Sequence, residues 1–452
     1  MKFVKIILRS LKWLAIISLT LAVILTMIYF YKPPLNKEIK EILTKEWKDT
    51  GNKEDNAFYY LLGFNAPKDK DAYETGLELS DIYRKFKVNV DNTELEKEID
   101  KLDPLPYGSH INKYLELIFE KFIDQQNINV LYDNARLIKS EEDKGTYLID
   151  RFNELKNTTY YQIVYPPLHN ILLDCYYYFG ECVDLDLVVN LLDVNENVEA
   201  MDIIEKNLKF YHTLIEQSND YYLSLVCGFI IRNYYESLNV LMSDSNLIEL
   251  IPSDFFSERI DLDIVSRRMI TYATFNIHTM DKDLFISKRK LVLIDFKELI
   301  DKPNLINLKA VWQEFTSNNN LDLNLTYKTL LDCNELFSNK SEETITEFEK
   351  MNRLINSLDF IYLDSMGIFH LFRGLTDQNG YKDLLHLKLL IMRNYIAKTE
   401  IPEYILSVSD SIRNPYTHKP MQYNADENSI YFIGPVFDGM VAEDYTRKVY
   451  LD

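Results

Sequence analysis

From about Ser109 to Val408, nearly every segment of this chain repeats its apolar residues at the helical period. Met201, Ile204, Leu208, Tyr211 and Ile215 step by threes and fours, which is one amphipathic stripe. Only 12 of 452 residues are glycine. Phosphate cradles and nucleotide-binding α/β folds depend on Gly-rich turns, so this scarcity argues against both. The expected fold is mainly α: an irregular multi-helix domain, closed by a small C-terminal β-hairpin and preceded by one transmembrane helix.

Local signals set the boundaries of the pieces. Residues 35–48 read as a helix entered through Pro33 and Pro34. The stretch 56–67, NAFYYLLGFNAP, reads as a short apolar helix ended by Gly63 and Pro67, and further helices are expected over Ala72–Phe86 and around Thr93–Lys101. Ser253 and Asp254 look like a helix start ahead of Phe255 and Phe256. Tyr221–Ile231 and Leu384–Met392 are strongly apolar but too short to cross a bilayer, and are expected to be central core helices. Met421–Tyr423 and Ser429–Ile433 flank the polar turn Asn424–Asn428, which is a hairpin signal.

Location is legible at the N-terminus. Lys2, Lys5, Arg9 and Lys12 precede an uncharged apolar run, Trp13–Tyr31, which Lys32, Pro33 and Pro34 end. The run approaches the ~20 residues needed to span the hydrocarbon core, and aromatic rings stand at both ends. Its bulky exit suits a cleaved signal peptide poorly. The sequence therefore predicts a cytoplasmic N-terminus over 1–12, a signal anchor over 13–31, an extracytoplasmic helical domain over 35–408 and a C-terminal module over 409–452. In a Gram-negative bacterium that is a single-pass inner-membrane protein whose bulk is periplasmic. Residues 1–34 hold five of the 50 Lys/Arg and none of the 70 Asp/Glu, so the remainder is more acidic than the chain's net charge of −20. Such a surface disfavours nucleic acid and anionic lipid headgroups as partners. It suits simple solubility, cationic peptides or divalent cations.

The chain carries no Walker loop, GxGxxG, GxSxG, CxxC or HExxH. Its histidines, His110, His169, His212, His278, His370, His386 and His418, do not stand at ligand spacing. Asp364-Ser365 with His370, joined by His386, is the sharpest catalytic idea, but residues five apart on a helix face different ways. Helix-packing polar residues are the competing reading. Asp438, Glu443 and Asp444 beside Gly439 could form an oxygen-rich cation loop, or simply a solvated one. The tyrosine groups at 59–60, 160–161, 176–178, 221–222 and 234–235 could be sugar platforms, or core and rim. Cys175 and Cys182 could be bridged by a turn at Gly180, or be buried thiols. No residue is assigned as catalytic, cofactor-binding or metal-ligating.

Two stretches carry a resemblance. NAFYYLLGFNAP, followed by Asp71 and Gly76, resembles the membrane-proximal signature of a family of uncharacterised, membrane-anchored proteobacterial proteins. NPYTHKPMQYNADENSIYFIG (414–434) resembles the closing motif of the same family, with Asn414 where Asp is usual and His418 where Gly is usual. The resemblance implies a membrane anchor and no particular activity. Function is expected to be non-enzymatic first: an envelope interaction or assembly factor with a protein partner, touching the lipid bilayer through its N-terminal helix. A periplasmic hydrolase acting on glycan or peptide is the alternative. A small-ligand-binding domain is a further one, which an apolar pocket lined by tyrosines would favour.

Overall fold

A computed structural model describes residues 37–44, 51–85, 97, 99, 101–102, 113–163, 173–194, 199–243, 245–252, 254–262, 264–265, 268–269, 364–434 and 446–451. The described protein is mostly helical and ends in a small three-stranded antiparallel sheet. The chain divides into two units, and of the smaller, Met1–Thr44 with Ile277–Thr329, only helix α1 (Lys37–Thr44) is described. Everything below belongs to the larger unit, Lys45–Asn276 with Leu330–Asp452.

The NAFYYLLGFNAP stretch starts with a cap. Asn56 is fully buried and its Oδ1 accepts from Phe58 N at 3.1 Å, opening helix α2 (Ala57–Leu62). The same side chain exchanges two 2.9 Å bonds with the Gln162 backbone, so the helix start is tied to a strand-like segment 106 residues away. Helix α2 then lies directly on α3 (Ala72–Lys85). A Cβ on Gly63 would fall 1.9 Å from the Ala72 carbonyl oxygen, and one on Gly76 would fall 1.8 Å from that of Tyr59. The two glycines therefore set the approach of the helix backbones.

The turn between these helices hangs on one side chain. Arg151, from α6 (Ala135–Lys156, following α4, Lys113–Gln125, and α5, Asn129–Asp133), donates through Nη1 to the carbonyls of Phe64 (3.0 Å) and Ala66 (2.7 Å). Its Nη2 reaches those of Pro67 (2.7 Å) and Lys70 (3.0 Å). The guanidinium is buried, which lowers its pKa, yet arginine stays charged in a protein. Four backbone dipoles replace its water shell.

The core continues through α7 (Leu173–Asp193), α8 (Glu199–Gln217) and α9 (Tyr221–Leu241). The stripe Met201, Ile204, Leu208, Tyr211 and Ile215 faces inward on α8, as its spacing requires. Tyr211 stacks on Phe152 with ring centroids 6.2 Å apart, and stands edge-on to Tyr234 at 5.5 Å. Beside the rings, Asn207 donates to Asp186 (2.7 Å) and to the Tyr234 hydroxyl (3.2 Å), and Lys156 Nζ donates to Asn207 Oδ1 at 3.0 Å. This buried polar network is internally satisfied, which favours one packing over its alternatives. Asp220 caps α9 and accepts from the buried Tyr176 hydroxyl at 2.7 Å.

Helix α9 packs on the 30-residue α11 (Asp364–Arg393), which follows the short α10 (Ser245–Ile248). The two apolar stretches expected to be core helices lie within α9 and α11, with Leu223, Cys227, Ile230 and Ile231 buried in the first and Leu384, Leu385, Leu387, Leu389 and Ile391 buried in the second. After α12 (Ile401–Ser407) the chain turns through 414–420 into β1 (Gln422–Asn424), β2 (Ser429–Ile433) and β3 (Thr446–Tyr450), in that order across the sheet. The expected hairpin is present, with Asn424 opposite Ser429, and β3 extends it by pairing Ser429 with Tyr450. Ile430, Phe432 and Val449 are buried, and the sheet packs on α11 at Gly380, where a Cβ would meet the Phe432 ring at 2.6 Å.

Three expectations are corrected or fall elsewhere. Gly180 makes no turn: it lies inside α7, and seven residues of helix rise by about 10 Å, beyond any disulfide. Cys182 is a buried thiol donating to the Leu148 carbonyl. Asp254–Phe256 is a turn and not a helix start, closed by Ser257 N on the Asp254 carbonyl. The run Trp13–Tyr31 lies outside the described residues, and among those described no helix is long and apolar enough to cross a membrane.

Replacing Arg151 by Met strips the 63–70 turn of its donors, and buried acceptors left without a donor cost ~1–3 kcal/mol each. Arg151→Met is expected to lower unfolding free energy by about 3 kcal/mol or more in denaturant titration. Arg151→Lys is expected not to rescue it, because an ammonium lacks the planar fork. A Lys variant as stable as the parent would contradict this account.

Candidate ligand-binding cavity

A cavity of about 490 Å³ lies between α9 and α11, bordered on its third side by β3. From α9 it is lined by Leu225, Gly228, Phe229, Arg232, Tyr235 and Glu236, which is one helix face at spacings of three and four. Leu371, Gly374, Leu375, Gln378 and Tyr381 form the matching face of α11. Each helix contributes one glycine to the lining. A Cβ at Gly374 would meet nothing within 4 Å, and one at Gly228 would meet only the ends of Gln378 and Leu375, at 3.4 and 3.7 Å. Phe229 is 57% exposed, an unusual cost for a large ring.

Polar groups gather at the β3 side. Asp377 Oδ1 accepts from the Tyr416 hydroxyl at 2.6 Å, and Oδ2 accepts from Arg447 Nη2 at 2.7 Å. Tyr416 is fully buried, and burial together with Asp377 holds its pKa well above the usual phenol value. Arg232 Nε donates to Glu236 at 2.7 Å, and Lys448 pairs with Glu427 beyond the cavity. Gln378 Nε2 donates to the Gly228 carbonyl at 2.5 Å, leaving its buried Oε1 without a donor. Tyr381 is pushed up by burial and then by Glu236.

The turn through 414–420 positions this side. Asn414 Oδ1 accepts from Tyr416 N (2.9 Å) and Thr417 N (3.3 Å), and its Nδ2 donates to the Ile433 carbonyl at 3.2 Å. The side chain thus caps the turn as an Asp would, and adds a donor that Asp lacks. His418 sits at φ 56°, so the position does require the left-handed region that glycine prefers.

A second, acidic groove lies on the other side of Arg232 and Glu236, with a volume of about 790 Å³. Glu116, Glu120 and Asp124 from α4 face Asp184 of α7 across it. Burial raises the Asp184 pKa to about 6, partly opposed by Asn233, which donates to Oδ1 at 3.1 Å. Among the described residues no group of three or more His, Cys, Asp or Glu could hold a metal ion.

Of the residues singled out by sequence, Tyr235 lines the first cavity and the others line neither site. Asp364, Ser365 and His370 belong to the first turns of α11, and their side chains lie outside the described residues. His386 is described separately, against the Phe256 ring, with its pKa lowered by burial and then by Lys382. The loop with Asp438, Gly439, Glu443 and Asp444 is outside the described residues. Tyr59, Tyr176, Tyr234 and Tyr235 are core residues and offer no exposed platform. The legible signal that sequence reasoning passed over was Gly228 and Gly374, two helix-interior glycines in a glycine-poor chain. No protein-family model matches the chain, and neither does any curated protein or solved structure.

Asp184 provides a pH test. Its carboxyl binds a proton more tightly in the folded state (about 6) than in the unfolded chain, whose value is near 3.8. Stability from this group is therefore fully present below the unfolded value and is lost as pH rises from about 4 to 6. Asp184→Asn keeps an acceptor for Asn233 and removes the buried charge. It is expected to raise stability at pH 7.5 by about 1–3 kcal/mol and to flatten the change between pH 4 and 6. A variant that is less stable than the parent at pH 7.5 would show that the carboxylate is held by attraction.

Proposed function

We propose that this chain is a membrane-anchored binding protein whose helical domain takes a small amphipathic molecule between α9 and α11. One observation carries the reading: the cavity of about 490 Å³ has apolar walls from two helices, a glycine-opened interior and a few polar groups at one end. Ligand sites between helices commonly have this size and make-up. The assembly role expected from sequence rested on missing catalytic signatures, whereas the cavity gives a physical reason for binding a small molecule.

The anchor in this proposal is the run Trp13–Tyr31, supported by its length, its flanking lysines and Pro33–Pro34. It would hold the domain within reach of lipids and lipid-derived molecules. A hydrolase remains the second reading, favoured by one group: a carboxyl with a pKa of about 6 among other carboxylates suits a general acid. Asp184→Asn is the variant that separates them, since only the hydrolase loses its function.

Two measurements test the proposal. Gly374→Phe places a ring in the open space, and glycine is the poorer helix former, so the fold is expected to hold. In phosphatidylcholine nanodiscs, with empty discs subtracted, the parent is expected to enhance N-phenyl-1-naphthylamine fluorescence saturably and Gly374→Phe to lose at least tenfold in affinity. Equal affinity would move the site elsewhere. For topology, alkaline phosphatase fused after Asp452 is expected to be active in a Gram-negative host, and an inactive fusion would reverse the orientation.

A further inference from the structure

We propose that the ligand of this cavity is an uncharged, mainly apolar molecule carrying one hydrogen-bonding group, which meets the Tyr381 hydroxyl. This rests on the ligand-binding reading and adds the charge of the ligand and the residue that recognises its polar group.

The lack of charge follows from pairing within the protein. Three cations line the cavity, and each already has a carboxylate: Arg232 has Glu236 at 2.7 Å, Arg447 has Asp377 at 2.7 Å, and Lys448 has Glu427 at 2.5 Å. Glu236 and Asp377, the two carboxylates of the lining, are engaged in the same pairs, and the other Asp377 oxygen accepts from Tyr416. An ion entering the cavity would give up water and find no countercharge left over, which is costly. An apolar body gains by leaving water for the side chains of Leu225, Phe229, Leu371 and Leu375.

The hydrogen-bonding group follows from Tyr381. Its polar neighbours in the lining are used within the protein: Gln378 Nε2 donates to the Gly228 carbonyl, Gln378 Oε1 is closed off from solvent, and the Tyr235 hydroxyl lies 3.4 Å from His212 Nε2. Tyr381 differs. It is half-buried in the cavity wall, its hydroxyl makes no hydrogen bond among the described residues, and that oxygen retains accessible surface. Burial and then Glu236 hold the phenol above its usual pKa, opposed by Arg232 and Arg447, so the group stays O–H and can donate or accept. A ligand hydroxyl or carbonyl at this point is satisfied without breaking any protein pair. A wholly apolar ligand would instead bury the phenol oxygen unpaired.

Matched naphthalenes test this by equilibrium dialysis at pH 7 against the full chain in phosphatidylcholine nanodiscs, with empty discs subtracted. 1-Naphthol is expected to bind about fivefold more tightly than naphthalene, the worth of one hydrogen bond. It is also expected to bind at least tenfold more tightly than 1-naphthoate or 1-naphthylmethylammonium. Tyr381→Phe removes only a hydroxyl that holds nothing in the described protein. It is expected to erase the advantage of naphthol and to leave naphthalene bound at least as tightly. An advantage that survives in the Phe variant would overturn the role of Tyr381. The parent series decides even if that variant does not fold: naphthalene binding as tightly as naphthol would overturn the hydrogen-bonding group, and naphthoate or the ammonium binding as tightly would overturn the lack of charge. Each of these outcomes leaves the cavity reading intact. If neither naphthol nor naphthalene binds, the cavity reading itself fails.

Discussion

Asp377 joins parts of the chain that are far apart in sequence. It stands on α11, receives Tyr416 from the closing motif and Arg447 from β3, and lines the cavity. A buried carboxylate is costly unless its lone pairs are met, and here one oxygen goes to each partner. That geometry fixes the terminal sheet on α11 and so gives the cavity its third wall. Gly380 makes the docking close enough, with Phe432 and Pro415 in the space that a Cβ would occupy. The 414–434 stretch is therefore a device for seating the end of the chain on its longest helix.

The NAFYYLLGFNAP stretch has the same logic. Asn56 ties the start of α2 to Gln162, Gly63 and Gly76 let α2 meet α3, and Arg151 gathers four carbonyls of the intervening turn. Polar side chains fix backbone that has no regular hydrogen-bond ladder of its own. Between these two fastenings the aromatic core of Phe152, Tyr211 and Tyr234 is packed around the Asp186–Asn207–Lys156 network. The cavity lies on the far side of α9 from that network, where glycines replace bulk.

Helix positions were legible wherever the period was clean. The α8 stripe, the two apolar segments of α9 and α11, the short helix within 56–67 and the hairpin about Asn424–Asn428 all follow from local chemistry. Strand β3 was not legible, since Thr446–Tyr450 has two charged residues and a single buried side chain, Val449. Its partner, β2, decides its conformation. Gly180 misled for the converse reason: a lone glycine reads as a turn locally, but α7 is held straight by its neighbours. The cavity is lined by Gly228 and Gly374, 146 positions apart, and their pairing in one lining depends on tertiary packing that no local pattern reports. His418 was half legible: glycine is usual at that place in the motif it resembles, which raised the question of a left-handed backbone, and φ there is 56°.

The most direct measurement is a crystal structure of the chain grown with N-phenyl-1-naphthylamine. The account requires ligand density between α9 and α11, against Leu225, Phe229, Leu371 and Leu375. Density elsewhere, or a gap closed by Phe229 folding inward with no room for ligand, would contradict it.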